Sequence, residues 1–192
     1  MSQQSRRSIV KGAAWAAPAV LATATIPAYA ASKPALDGWL SNIVSSCSRD
    51  RWSGVWSMTY TIDGQVDTYP TRGLWISNAP ASATIGATKI IQYISDAAGL
   101  LKFQRGGTSN QWSTLAYDST APVKSGYIAY TTTFSGTWQY DAAKKLWFPS
   151  TRPYFTTTVG KCITALQVIT ARFVTINSTV YSFERSATLR QA

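Results

Sequence analysis

Between Trp56 and Ile62 every second residue is large and apolar, with Trp56, Met58, Tyr60 and Ile62 alternating with Ser57, Thr59 and Thr61. A two-residue period is that of a β-strand with one face on a core and the other toward water. Asp63-Gly64 then reads as a turn, and 65–69 as the returning arm of a hairpin that Pro70 ends. The pattern repeats along the chain. Leu74, Trp75 and Ile76 mark a strand at 73–77, and the stretches 88–95 and 100–104 flank Asp96-Ala97-Ala98-Gly99 as a second hairpin. Strands follow at 111–117 and 127–134, separated by the longest loop, 118–126. Strands at 137–140 and 146–148 form a hairpin with Trp138 and Trp147 on its two arms. The stretches 154–159, 163–170, 172–176 and 180–185 complete the set as a closing meander, its last turn at Asn177-Ser178-Thr179. Only 35–46 is ambiguous: Leu36, Leu40, Ile43 and Val44 have helical spacing but enclose Gly38, so the segment reads as a short helix or an irregular strand.

Many short strands with polar turns and almost no helix predict an all-β fold, an antiparallel β-sandwich of immunoglobulin-like architecture. That likeness is limited to architecture. The residue two before Cys162 is Gly160, where an immunoglobulin domain has its corner tyrosine.

Residues 1–30 have another pattern. Arg6, Arg7 and Lys11 precede a run of mainly Ala, Val, Leu and Thr from Gly12 to Ile26. The run is shorter than the ~20 apolar residues a spanning helix needs, and Pro18 and Pro27 interrupt it. Ala28 and Ala30 supply the small side chains of an A-x-A cleavage site. Ser5-Arg6-Arg7 with Lys11 resembles the bacterial twin-arginine (Tat) export signal, from which Ile9 and Val10 depart conservatively. The stretch also looks like the leaders of small actinobacterial exported proteins of unknown function. The resemblance covers about the first 31 residues and implies passage through the twin-arginine translocase, then a secreted or envelope location outside the cytoplasm. Cleavage after Ala30 would leave 31–192 as one domain, with no stable transmembrane segment. An ordinary secretory signal and an uncleaved anchor are the alternatives.

Loss of Arg6, Arg7 and Lys11 takes the formal charge from +10 to +7, since all eight acids lie in the remainder. A basic surface suits acidic partners such as wall polymers, and it also keeps a protein soluble. The cations are scattered, which argues against nucleic acid as the partner. Cys47 and Cys162, the only cysteines, read as one disulfide in an exported chain. If export is of the folded chain, the core must hold before that bridge forms.

Histidine is absent, which removes Ser-His and Cys-His catalysis, and two distant cysteines make no zinc site. No G-x-S-x-G motif occurs, the one S-x-x-K (Ser8–Lys11) lies in the leader, and there is no phosphate loop, so no catalytic residue, metal or cofactor is expected. A carboxylate pair drawn from Asp37, Asp50, Asp63, Asp67, Asp96, Asp118, Asp141 and Glu184 could still hydrolyse a glycan. Seven tryptophans follow the leader. Most are expected in the core; Trp52, beside Arg51 and outside the alternating run, is the one expected to be exposed and able to stack on a sugar. The sequence thus reads as an exported, non-enzymatic domain that binds an acidic or saccharide partner at the cell surface. A glycan-acting enzyme and a structural subunit of an exported assembly are the rivals.

Overall fold

The computed structural model describes residues 32–65, 69 and 71–191. Arg6, Arg7, Lys11, Ala28 and Ala30 lie outside the described residues. The strands, in chain order, begin with β1 (Ala35–Asp37), β2 (Ser41–Val44), β3 (Ser48–Arg49), β4 (Trp56–Asp63) and β5 (Trp75–Ser77). Next come β6 (Ile85–Ser95), β7 (Gln104–Arg105), β8 (Ala116–Tyr117), β9 (Tyr127–Phe134) and β10 (Trp138–Asp141). The last are β11 (Leu146–Pro149), β12 (Tyr154–Val159), β13 (Ala165–Ile176) and β14 (Thr179–Arg190).

They form three antiparallel sheets: β14-β13-β6-β9-β8, β2-β4-β12-β7 with β3 also on β4, and β1-β5-β11-β10. The first is the broad layer, because β6, β13 and β14 are 11 or 12 residues long. One face of β13 carries Leu166, Val168, Thr170, Arg172, Val174 and Ile176 in strict alternation. Leu166 and Val168 pack with Met58, Tyr60, Ile62, Phe155 and Val159 of the β4 sheet. Val174 and Ile176 pack with Leu36 and Ile76 of the β1 sheet. The two smaller sheets therefore cover different stretches of one face, and Thr170 and Arg172 fall at the seam between them. On the other face, the loop at 118–126 lays Ala121 against Ile91, Tyr93 and Ala171.

The expected β-sandwich layering is present. An immunoglobulin sandwich has two sheets, whereas the described residues form three, so the likeness extends only to layered antiparallel sheets. The ambiguous segment at 35–46 is two short strands, β1 and β2, in different sheets. The β13–β14 hairpin turns within the expected Asn177-Ser178-Thr179, at Asn177-Ser178, with Thr179 already in β14. Both residues have positive φ, 46° and 66°, between the paired Ile176 and Thr179, as a tight primed turn requires.

The expected hairpin with Trp138 and Trp147 on its arms is present as β10–β11, but two others fail for one reason: the strand edge they need is occupied. Over 60–63, β4 is flanked by β2 and β12, so no edge is left for 65–69, part of which lies outside the described residues. Similarly β6 is flanked by β13 and β9, so 100–104 does not fold back on it. Instead Leu101 and Phe103 enter the core, and β7 pairs with β12. Residues 163–170 and 172–176 are not two strands, because Ala171 keeps its pairing with Ile91 and Glu184. The closing meander is also incomplete, since β12 belongs to another sheet.

Asp118 ties the long loop to β9. Its carboxylate accepts from Thr120 N (2.9 Å), Thr120 Oγ1 (2.6 Å) and Thr131 Oγ1 (2.7 Å). These bonds, the Thr120 hydroxyl foremost and then that of Thr131, hold its pKa down at about 2. A lowered carboxylate pKa contributes stability that is present above the unfolded value, about 3.9, and is lost as pH falls through the folded one. Asp118→Asn is therefore expected to lower the melting temperature at neutral pH and to make little difference near pH 2. Melting curves at both pH values check this, and an equal deficit at both contradicts it.

Candidate functional site: an arginine-lined cleft at the sheet seam

The chain leaves the β1 sheet for the β4 sheet at Gly38, which adopts φ +74°. A Cβ there would lie 2.5 Å from the Gly73 carbonyl oxygen and 2.6 Å from Trp75 Cδ1, so only glycine fits. The bend is fixed by Trp39 N donating to Thr71 O (3.2 Å) and Gly73 N donating to Trp39 O (3.1 Å). It presents the Trp39 ring to β14, where the Arg185 guanidinium lies 4.0 Å from the ring centroid. Gly38→Ala is expected to destabilise the fold by about 2 kcal/mol or more, from left-handed backbone strain plus the backbone clash. A lower urea midpoint would show this; an unchanged one would contradict the geometry.

Below this bend is a cleft of about 260 Å³. Residues 38–43, Arg72 and Leu74 form one wall, and Phe183, Arg185, Ala187 and Leu189 of β14 form the other. Ile90, Thr170 and Arg172 form the floor. The floor beside Arg172 is polar and closed: Tyr60 Oη donates to Asn42 Oδ1 (2.6 Å), and Gln92 Nε2 donates to Asn42 Oδ1 and Tyr60 Oη, both at 2.9 Å. Thr170 Oγ1 completes it by donating to Gln92 Oε1 (2.6 Å). Burial pushes the Tyr60 hydroxyl pKa upward, so it remains a neutral phenol.

Arg172 is 2 % exposed. Its Nη2 donates to the Asp37 and Trp75 carbonyl oxygens at 3.0 and 3.1 Å, holding β1 and β5 together from below. Its Nε and Nη1 have no hydrogen-bond partner, so of the five N–H groups of a guanidinium three are unused. Burial lowers its pKa to about 10, opposed by the charge of Asp37, which leaves it cationic at neutral pH. The Asp37 carboxylate is turned elsewhere, accepting from Ser77 Oγ and from Tyr69 Oη (3.3 Å). No ion pair to Arg172 exists among the described residues. A buried cation is ordinarily paired, and here two more cations, Arg72 and Arg185, line the same cleft with no Asp or Glu on its walls. Low-dielectric walls bearing one sign of charge concentrate the field in the space between them.

The residues singled out from the sequence fall elsewhere. Trp52 is 93 % exposed, at a turn over 50–55, and is not part of the cleft. Cys47 and Cys162 are bridged, with Cα atoms 5.7 Å apart. Of the tryptophans among the described residues, Trp75 and Trp112 are buried; the others are partly or largely exposed. The carboxylates serve local structure: Asp50, Asp118 and Asp141 accept from their own turns, Asp63 faces Arg152 at 3.6 Å and Glu184 faces Lys124 at 3.0 Å. Among the described residues no three His, Cys, Asp or Glu side chains gather into a metal site. Among them, too, no helix is long and apolar enough to cross a membrane.

What the sequence reading missed is Trp39, Arg72, Arg172 and Arg185. A signal for one of them was present. Once 165–176 is read as a single strand, its alternation puts Arg172 on the same face as Leu166, Val168, Val174 and Ile176. No family model, curated protein or solved structure matches this chain.

Proposed function

We propose that this chain is an exported, non-enzymatic binding protein of the cell envelope or its surroundings, and that the cleft at the sheet seam takes an acidic ligand with an apolar face. A carboxylate- or phosphate-bearing envelope polymer has that chemistry. The observation that carries the reading is Arg172, a buried guanidinium with three unpaired N–H groups beside two further arginines and no carboxylate on the wall. Leu40, Leu74, Ile90 and Leu189 supply apolar surface next to that charge, and Trp39 adds a flat ring. The same wall lacks the two facing carboxylates of a glycan-hydrolysing site.

The reading is tested by titrating the purified protein with a glycerol-phosphate polymer, a uronate oligosaccharide and neutral glycans, following tryptophan fluorescence at low and high salt. Acidic ligands are expected to bind and neutral ones not, with binding weakened but not abolished by salt, because a buried cation is poorly screened. Equal binding of neutral glycans, or no response to any of them, would overturn it. Export by the twin-arginine route is a separate part of the proposal. Arg6→Lys with Arg7→Lys is expected to leave the unprocessed chain inside the cell, read by immunoblot of cell and medium fractions. Undiminished export contradicts that route.

A further inference from the structure

A second surface stands apart from the cleft. The turn between β3 and β4 exposes Trp52 (93 %), Val55 (51 %) and Trp56 (53 %), large apolar side chains within five residues. Arg49 and Arg51 flank Trp52, and Lys161 shares a shallow depression with Val55 and Trp56. None of these three cations is in an ion pair among the described residues.

The turn is held in shape. Asp50 Oδ1 accepts from Trp52 N (3.0 Å), Ser53 N (2.6 Å) and Ser53 Oγ (2.8 Å). Gly54 N donates to Asp50 O, and Asp50 N donates to Val55 O, both at 2.9 Å. Arg49 Nε donates to Gly54 O at 3.0 Å. The base is pinned by the Ser48–Ser57 and Arg49–Trp56 pairings and by the nearby Cys47–Cys162 bridge. Side chains displayed on such a frame lose little freedom when they are covered.

Two exposed indoles and an aliphatic side chain among unpaired cations match the interfacial zone of a bilayer. Tryptophan settles there at headgroup level, and lysine or arginine faces lipid phosphate. We infer that this turn docks the protein on an anionic bilayer surface, with Trp52, Val55 and Trp56 entering the headgroup layer and Arg49, Arg51 and Lys161 against the phosphates. A glycan fits the turn less well. Val55 offers no ring to stack on a sugar, and the turn's one carboxylate already accepts three bonds from Trp52 and Ser53.

The test is co-sedimentation of the full chain with vesicles of phosphatidylcholine alone or mixed with phosphatidylglycerol. The leader is common to wild type and variants, so the difference between them reads the turn. Binding to the mixed vesicles and not to the neutral ones is expected. Trp52→Ser with Trp56→Ser should weaken it by roughly tenfold or more. Arg51→Glu with Lys161→Glu should weaken it by about 25-fold or more, near fivefold for each cation lost and further through the added repulsion. Melting temperatures should not change, because all four side chains are exposed. Equal sedimentation of wild type and both variants, or equal binding to neutral vesicles, would overturn the inference. So would tryptophan-dependent binding to isolated peptidoglycan with none to vesicles, which would make the surface a glycan-binding one. None of these results depends on whether the cleft binds an acid.

Discussion

Cys47→Ala with Cys162→Ala is expected to lower the unfolding free energy by about 4–5 kcal/mol and still to leave a folded protein. The bridge joins residues 115 positions apart. Releasing a loop of that length restores entropy to the unfolded chain worth nearly 5 kcal/mol in the chain-entropy account. A domain of this size holds about 5–15 kcal/mol in total, so the loss is a large share of its stability. The fold should nevertheless survive, because the sheets close without the bridge. Cys47 follows β2 and Cys162 follows β12, two strands already held on opposite edges of β4. Urea denaturation of the double variant, or of wild type with reductant, measures the shift. A variant that fails to fold would contradict export in the folded state from a reducing cytoplasm. An unshifted midpoint would show that the loop is constrained by other means.

Arg172→Met is expected to weaken the acidic ligand by about 100-fold, within the 2–5 kcal/mol typical of removing one member of a buried charge pair. Its effect on stability without ligand should be much smaller. Methionine leaves the Asp37 and Trp75 carbonyls without their donor, a loss of about 1.5–3 kcal/mol for each charged hydrogen bond. Against this it removes an unpaired buried cation, whose desolvation costs several kcal/mol. The two roughly cancel, and the ligand-free stability should stay within about 2 kcal/mol of wild type. Arg172→Lys separates charge from geometry, since one ammonium group cannot reproduce the planar fork that reaches both carbonyls. It should bind the acid more weakly than wild type and more strongly than the methionine variant. Unchanged affinity in Arg172→Met, measured by calorimetry, would place the ligand elsewhere.

The layered sheets were legible because alternation is a local signal. Met58, Tyr60 and Ile62 declare the buried face of β4 without reference to any other strand, and Asn177-Ser178 declares its turn by the backbone it needs. The local hairpins β10–β11 and β13–β14 were legible too, but distant strand partners were not. Whether 100–104 can fold back on β6 depends on which strands occupy its edges, and those lie 30 or more residues further along the chain. The cleft was hidden for the same reason. Trp39, Arg72, Arg172 and Arg185 come from four separate stretches and meet only where the two smaller sheets adjoin the broad one. Arg172 was further concealed because a charged residue in an apolar run reads as a strand end, when it is in fact the eighth residue of an unbroken strand. Trp52 stood out because it lies outside any alternating run, and the same isolation places it on an exposed turn rather than in the cleft.

The most direct test of the account is the side-chain Nε–H resonance of Arg172, assigned by its absence in Arg172→Met and followed while a uronate oligosaccharide or a glycerol-phosphate polymer is added. The account predicts that this resonance shifts in step with binding of the acid and stays in place when a neutral glycan of matching size is added. An acidic ligand that binds and moves resonances elsewhere, while those of Arg172 and Arg185 remain where they were, would contradict it.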